Sequence, residues 1–169
     1  MVSVAENFTL FEFQSRYEKG DTSYEYWYGR AIAKAMPTWL HGILQVISSE
    51  LLNDAGYIAG SEVELRIAPE ARPKPDVFAT KGEIEDPYPT KAVDVVAEIL
   101  SPDDSMTFVI EKCRTYQEWG FPNIYVVDPA SRLVFRWTGS ALEISDHLTS
   151  FAAAKIWERL DLAVKKPRA

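Results

Sequence analysis

The chain has 169 residues, of which 47% are hydrophobic and 25% charged, with a formal net charge of −7. That length predicts one domain over residues 1–169, and the composition supports a core, which excludes disordered, collagen-like and low-complexity chains. The acidic balance weighs against unselective coating of nucleic acid or an anionic membrane, and no apolar run reaches the ~20 residues of a membrane span.

One cysteine, Cys113, excludes an intramolecular disulfide and a thiolate zinc site, and the two histidines, His41 and His147, stand far apart. Glu6 and Glu12 interrupt the early Phe and Leu residues, so no secretory leader is expected. With the lone thiol, this predicts a cytoplasmic protein.

In chain order, Thr9 to Lys19 reads as a first helix closed by Gly20. The aromatic run from Tyr24 to Tyr28, then Gly29 and Ala31 to Met36, reads as a hairpin. After Pro37-Thr38, apolar residues at Leu40, Ile43, Leu44, Ile47, Leu51 and Leu52 keep helical spacing until Asn53-Asp54-Ala55-Gly56. Strands are expected over Glu62 to Ile67, Pro75 to Thr80 and Val93 to Leu100, then a helix from Thr107 to Trp119 stopped by Gly120. Ile124 to Val127 and Arg132 to Thr138 read as strands about the turn Asp128-Pro129-Ala130-Ser131. Within the ambiguous stretch from Ser150, Ala152 to Leu160 has helical character. Together these predict an α/β (α+β) fold, a mixed central sheet flanked by helices.

Two of the apolar strands carry acids. Asp76 opens one, Glu98 lies near the end of the other, and the segment between is polar and turn-rich, so the strands are expected to be antiparallel neighbours. Position 87, in the middle of that loop, lies midway between the two acids. A symmetric register therefore sets Asp76 opposite Glu98 on one face, with Cβ atoms about 4.5–5.5 Å apart. Like charges so placed repel unless a cation or proton lies between them, and Mg²⁺ held by both carboxylates, a backbone carbonyl and waters resolves this. Solvated strand ends, or pairing with Lys or Arg, are the alternative.

On the later helix, Val109, Cys113 and Tyr116 form the apolar stripe, and Lys112 falls at its margin, about 60° round from Val109. It either snorkels over apolar surface or reaches the acids. Asp, Glu and Lys converging on one edge suit metal-assisted hydrolysis of a phosphate ester.

The motifs Pro75-Asp76, Glu98-Ile99-Leu100-Ser101-Pro102, Lys112 with Tyr116, and Gly120 to Pro129, with Tyr24-Glu25, Gly29 and His41 upstream, resemble the small stand-alone "putative restriction endonuclease" family of the PD-(D/E)xK nuclease superfamily. The resemblance covers roughly residues 9 to 140. It implies a restriction-endonuclease-like fold and Asp76 and Glu98 as ligands of Mg²⁺ or Mn²⁺, with the Ile99 carbonyl as a third donor. Lys112 would position the attacking water, Tyr116 would hold the lysine, and DNA would be the substrate. The superfamily lysine two residues after the second acid is Leu100 here, and Lys112 matches the helical lysine that replaces it in this branch. Two positions depart from the family pattern: Arg30 stands for an acid, and Phe108 for an Asp.

Glu25 is a further candidate acid or a solvated strand residue, and His41 a phosphate contact, a proton relay or a helix-start residue. Cys113 reads as small buried filler, Asp128 as a turn former, and Lys165, Lys166 and Arg168 as a basic tail. Two readings compete with the enzyme: a catalytically inactive nuclease fold used for binding or assembly, and a structural subunit whose aromatic hairpin forms a homodimer contact.

Overall fold

In the computed structural model, residues 3–4 and 7–165 are described; Lys166 and Arg168 of the basic tail lie outside them. Following β1 (Ser3–Val4), Thr9 opens α1 (Leu10–Tyr17) through a capping box: its hydroxyl accepts from the Glu12 amide, and Glu12 accepts from the Thr9 amide. β2 (Tyr24–Trp27) and β3 (Arg30–Ala33) form the expected hairpin. Its two-residue turn puts Tyr28 at φ 46° and Gly29 at φ 80°, which is the twist a tight hairpin needs. Of the hairpin's aromatic residues, Tyr26 and Trp27 are buried, Tyr24 is half-buried and Tyr28 is exposed.

α2 (Trp39–Asp54) starts where Thr38 accepts from the His41 amide. Then come β4 (Ile58–Gly60), β5 (Ala71–Arg72), β6 (Val77–Thr80), β7 (Val95–Ile99), α3 (Met106–Glu118), β8 (Asn123–Asp128) and β9 (Leu133–Trp137). The chain closes with β10 (Leu142–Ser145), β11 (His147–Leu148), β12 (Phe151–Ala152) and α4 (Ala154–Lys165). The strand expected over Glu62 to Ile67 is instead an irregular segment. Its amides bond to the carbonyls of Pro73, Pro75 and Pro89, and prolines have no N–H to return, so no ladder propagates.

The main sheet is six-stranded, in the order β10-β9-β8-β7-β6-β4, with β7 and β8 parallel and every other pair antiparallel. It is the mixed sheet flanked by helices that the sequence predicts. One face packs Val77, Ala79, Val95, Ala97 and Val127 against Leu44, Ile47 and Leu51 of α2 and Ile156 and Leu160 of α4. The other packs Val96, Ile124 and Val126 against Val109, Cys113 and Tyr116 of α3. A smaller sheet, β1-β3-β2-β5, carries the hairpin. No helix among the described residues is long and apolar enough to cross a membrane.

Thr38 fixes the start of α2 and with it the place of His41. Thr38→Ala should lower stability by about 1 kcal/mol, the usual worth of a helix N-cap, read as a lower urea midpoint.

Candidate active site

Val77 pairs with Ala97, Phe78 with Val96 and Ala79 with Val95. Carried one step further, this register sets Asp76 opposite Glu98, as the symmetry about position 87 predicts. Alternation along β7 sends Ala97 and Ile99 into the core under α2 and Glu98 to the α3 side. Glu25, His41, Asp76, Glu98, Ile99 and Lys112 all line one cavity of about 530 Å³.

Each of the two acids has its own partners. Asp76 Oδ2 accepts from the Ile99 amide at 2.7 Å. Its Oδ1 lies 3.1 Å from His41 Nε2 and 3.3 Å from Lys34 Nζ. Glu98 Oε1 accepts from the Tyr116 hydroxyl at 2.6 Å, and Oε2 from Lys112 Nζ at 3.2 Å. Lys112 is not at the margin of the buried face but inside it, 7% exposed, and its ammonium bridges Glu98 to Glu25 Oε2 at 3.0 Å.

Glu25, for which a solvated role was one expectation, is 1% exposed. It accepts from the Lys74 amide at 2.6 Å and from the Trp27 indole at 3.2 Å. Trp27 is two residues on, hence on the same strand face. Its ring packs edge-on to Phe108, and Phe108 lies 5.2 Å from the Lys112 ammonium. The two departures from the family pattern are thus absorbed locally: Phe108 covers Lys112, and Arg30 pairs with Glu111 of α3.

Sequence reasoning missed Lys34, Gln45 and Glu62. Lys34 Nζ donates to Glu62 Oε2 at 2.7 Å and to the Lys74 carbonyl at 2.6 Å, besides its contact with Asp76. Gln45 donates to Glu62 Oε1 at 2.8 Å. Gln45 follows His41 by four residues, one helical turn, and that spacing was a usable signal. Glu62 had none: it sits in the irregular segment at φ 60°, a left-handed conformation that its surroundings must hold. Among the described residues, the ligand atoms of His41, Glu62 and Asp76 all lie within 4.8 Å of one another. Glu98 stands outside that group.

Burial opposes every charge here, and the neighbours decide the outcome. At Asp76 the His41 hydrogen bond and the Lys34 charge outweigh burial and hold its pKa well below the carboxylate range. Lys112 and Lys34 do the same for Glu25. Glu98 goes the other way: burial, with Asp76 and Glu25 nearby, exceeds the pull of Lys112, and its pKa is pushed up to about 7. Lys34 and Lys112, desolvated but ringed by carboxylates, are held above the ordinary lysine value. His41 is raised too, because its bond to Asp76 outweighs its burial. Burial pushes the Cys113 thiol up to about 12, which marks it as inert filler.

Among solved structures the fold matches a "putative nuclease belonging to DUF820" from Anabaena variabilis, with a TM-score of 0.76 at 22% identity, over 90% of this chain and 99% of that one. A DrdV–DNA complex aligns with a TM-score of 0.39 at 16% identity, over 73% of this chain and 11% of that one. No curated protein matches the chain. The family model described as "Uma2: Putative restriction endonuclease" matches residues 10–154, and the chain belongs to that family.

A raised Glu98 pKa means that the folded chain holds a proton which the unfolded chain releases above the ordinary value of 4.5. Its contribution to stability is complete below pH 4.5 and lost as pH rises through about 7. His41, also raised, acts in the same direction at higher pH. Asp76 and Glu25 act oppositely, contributing above their ordinary values and losing that contribution as pH falls through their depressed pKa values. Urea midpoints measured from pH 4.5 to 7.5 should therefore fall across this window, and less steeply in Glu98→Gln.

Proposed function

We propose that the chain is a Mg²⁺- or Mn²⁺-dependent nuclease that hydrolyses phosphodiester bonds within DNA. The observation that carries the reading is the juxtaposition of Asp76 and Glu98 across β6 and β7, in one cavity, with the Lys112 ammonium against Glu98. Family membership points the same way.

The donor set fits a hard divalent ion. Asp76, Glu98 and the Ile99 carbonyl offer oxygen only, and the Ile99 peptide is already tied to Asp76 through its amide. Asp76 Oδ2 and both Glu98 oxygens each accept one hydrogen bond and keep a lone pair, while Asp76 Oδ1 already meets His41 and Lys34. When bound, the ion lowers the pKa of a coordinated water and offsets phosphate charge. The chain's own groups do the rest. Tyr116 fixes the Glu98 carboxylate, and the Ile99 amide fixes Asp76. Two of the three Lys112 donors are committed to Glu25 and Glu98, and the third is available to orient a water in the cleft. The protonated lysine also supplies positive charge beside the phosphate.

A second reading, a nuclease fold used for binding or assembly, is favoured by one observation: Lys34 and Lys112 already neutralise the acids. Titration with Mn²⁺ separates the two, because a binding module with a self-neutralised cleft takes up no ion.

Asp76→Asn keeps an acceptor for the Ile99 amide but removes the charge. It should fold with a loss of roughly 1–3 kcal/mol, the worth of a charged hydrogen bond, and should show no Mn²⁺ heat by calorimetry. Nicking of supercoiled plasmid in Mg²⁺ or Mn²⁺ should vanish with it. Cleavage of RNA but not plasmid would overturn the DNA assignment.

Lys112→Met strands two buried carboxylates and should destabilise by roughly 3–5 kcal/mol. Adding Glu25→Gln should recover part of this. Cleavage should stay roughly 10²–10⁴-fold below wild type in both variants, which separates the lysine's part in the reaction from its part in the fold.

A further inference from the structure

We infer that Lys34 is a built-in cation: its ammonium fills a second cation position beside Asp76 and so keeps one divalent ion out of the cleft. The inference rests on the metal-dependent reading above and extends it by fixing how many ions the cleft can take.

The ammonium has three donors and meets three acceptors: Glu62 Oε2 at 2.7 Å, the Lys74 carbonyl at 2.6 Å and Asp76 Oδ1 at 3.3 Å. Its side chain is only 13% exposed, so the contact is made inside the cleft wall and not at a solvated rim. The surrounding groups are arranged to keep it there. Gln45 holds the other oxygen of Glu62, and the Glu62 backbone is anchored at φ 60° by its amide bond to the Pro75 carbonyl.

Without the ammonium, the same place is a ligand set. The donor atoms of His41, Glu62 and Asp76 converge within 4.8 Å. The ring nitrogen of His41 that faces this place is Nε2, 3.1 Å from Asp76 Oδ1. Two-metal nucleases place their ions about 3.5–4 Å apart, bridged by a shared carboxylate. Asp76 has the position of such a bridge, with Glu98 across the strand pair on one side and the Lys34 ammonium on the other. A divalent ion on the Lys34 side would have to displace a positive charge that is already fully bonded. The arrangement therefore favours one ion, with the lysine standing for the second.

The test is Mn²⁺ stoichiometry, by calorimetry and by loss of the free-ion electron paramagnetic resonance signal, in wild type, Lys34→Met, Glu62→Gln and the double variant. Lys34→Met should bind one more Mn²⁺ than wild type, and the double variant should lose that extra ion. Glu62→Gln alone should leave the Mn²⁺ count as in wild type, because the lysine still fills the place. An unchanged count in a folded Lys34→Met, judged by near-ultraviolet circular dichroism, overturns the inference. So does a wild type that already takes two ions. If Lys34→Met does not fold, Lys34→Gln, which keeps a donor for Glu62 without the charge, decides in its place by the same count. A wild type that binds no ion sinks the metal-dependent reading instead, while a gain of one ion on removing Lys34 would still uphold the lysine's role.

Discussion

A carboxylate removed from water is tolerated only if the fold returns to it, through cations and hydrogen bonds, most of what hydration supplied. Glu25, Asp76 and Glu98 are 1%, 4% and 6% exposed, and they crowd a single cleft. Much of the architecture is explained by meeting that demand. α3 packs against β7 and β8 and so delivers Lys112 between Glu25 and Glu98. The chain leaving β3 delivers Lys34 to Asp76, and the first turn of α2 delivers His41. Backbone amides of Lys74 and Ile99 complete the shells of Glu25 and Asp76.

The strand pairing was legible because it is a matter of counting. A polar, turn-rich loop between two apolar runs favours a local antiparallel pairing, and a register symmetric about the middle of the loop matches the two apolar faces. The helical lysine was legible for a related reason: its angle on α3 relative to Val109 is fixed by the helix repeat. The period gave its direction but not its depth, which depends on Phe108 and Trp27 closing over it. That closure is a tertiary event between segments far apart in the chain. Burial of Glu25 was hidden in the same way, since a strand residue next to tyrosines and a tryptophan looks solvent-facing until a helix covers it.

Lys34, Gln45 and Glu62 were illegible for different reasons. Lys34 follows a short strand and resembles any solvated lysine. Glu62 lies in a segment whose partner carbonyls belong to prolines, so the apolar alternation suggested a strand where no ladder can run. The three-residue β4 and the short strands β10 to β12 were missed because two to four residues carry too little periodicity. Of the two departures from the family pattern, Phe108 lines the cavity, and Arg30 lies outside it and ties the hairpin to α3 through Glu111.

The inertness of Cys113 has a practical side. It is the chain's one cysteine, completely buried, with its thiol pushed up to about 12. Maleimide and methanethiosulfonate reagents attack the thiolate, which here is both scarce and out of reach. A single cysteine introduced at Met36, 89% exposed and on the rim of the cavity, would then be the one reactive thiol in the protein. A nitroxide or fluorophore could be placed at the mouth of the cleft with the native cysteine left in place.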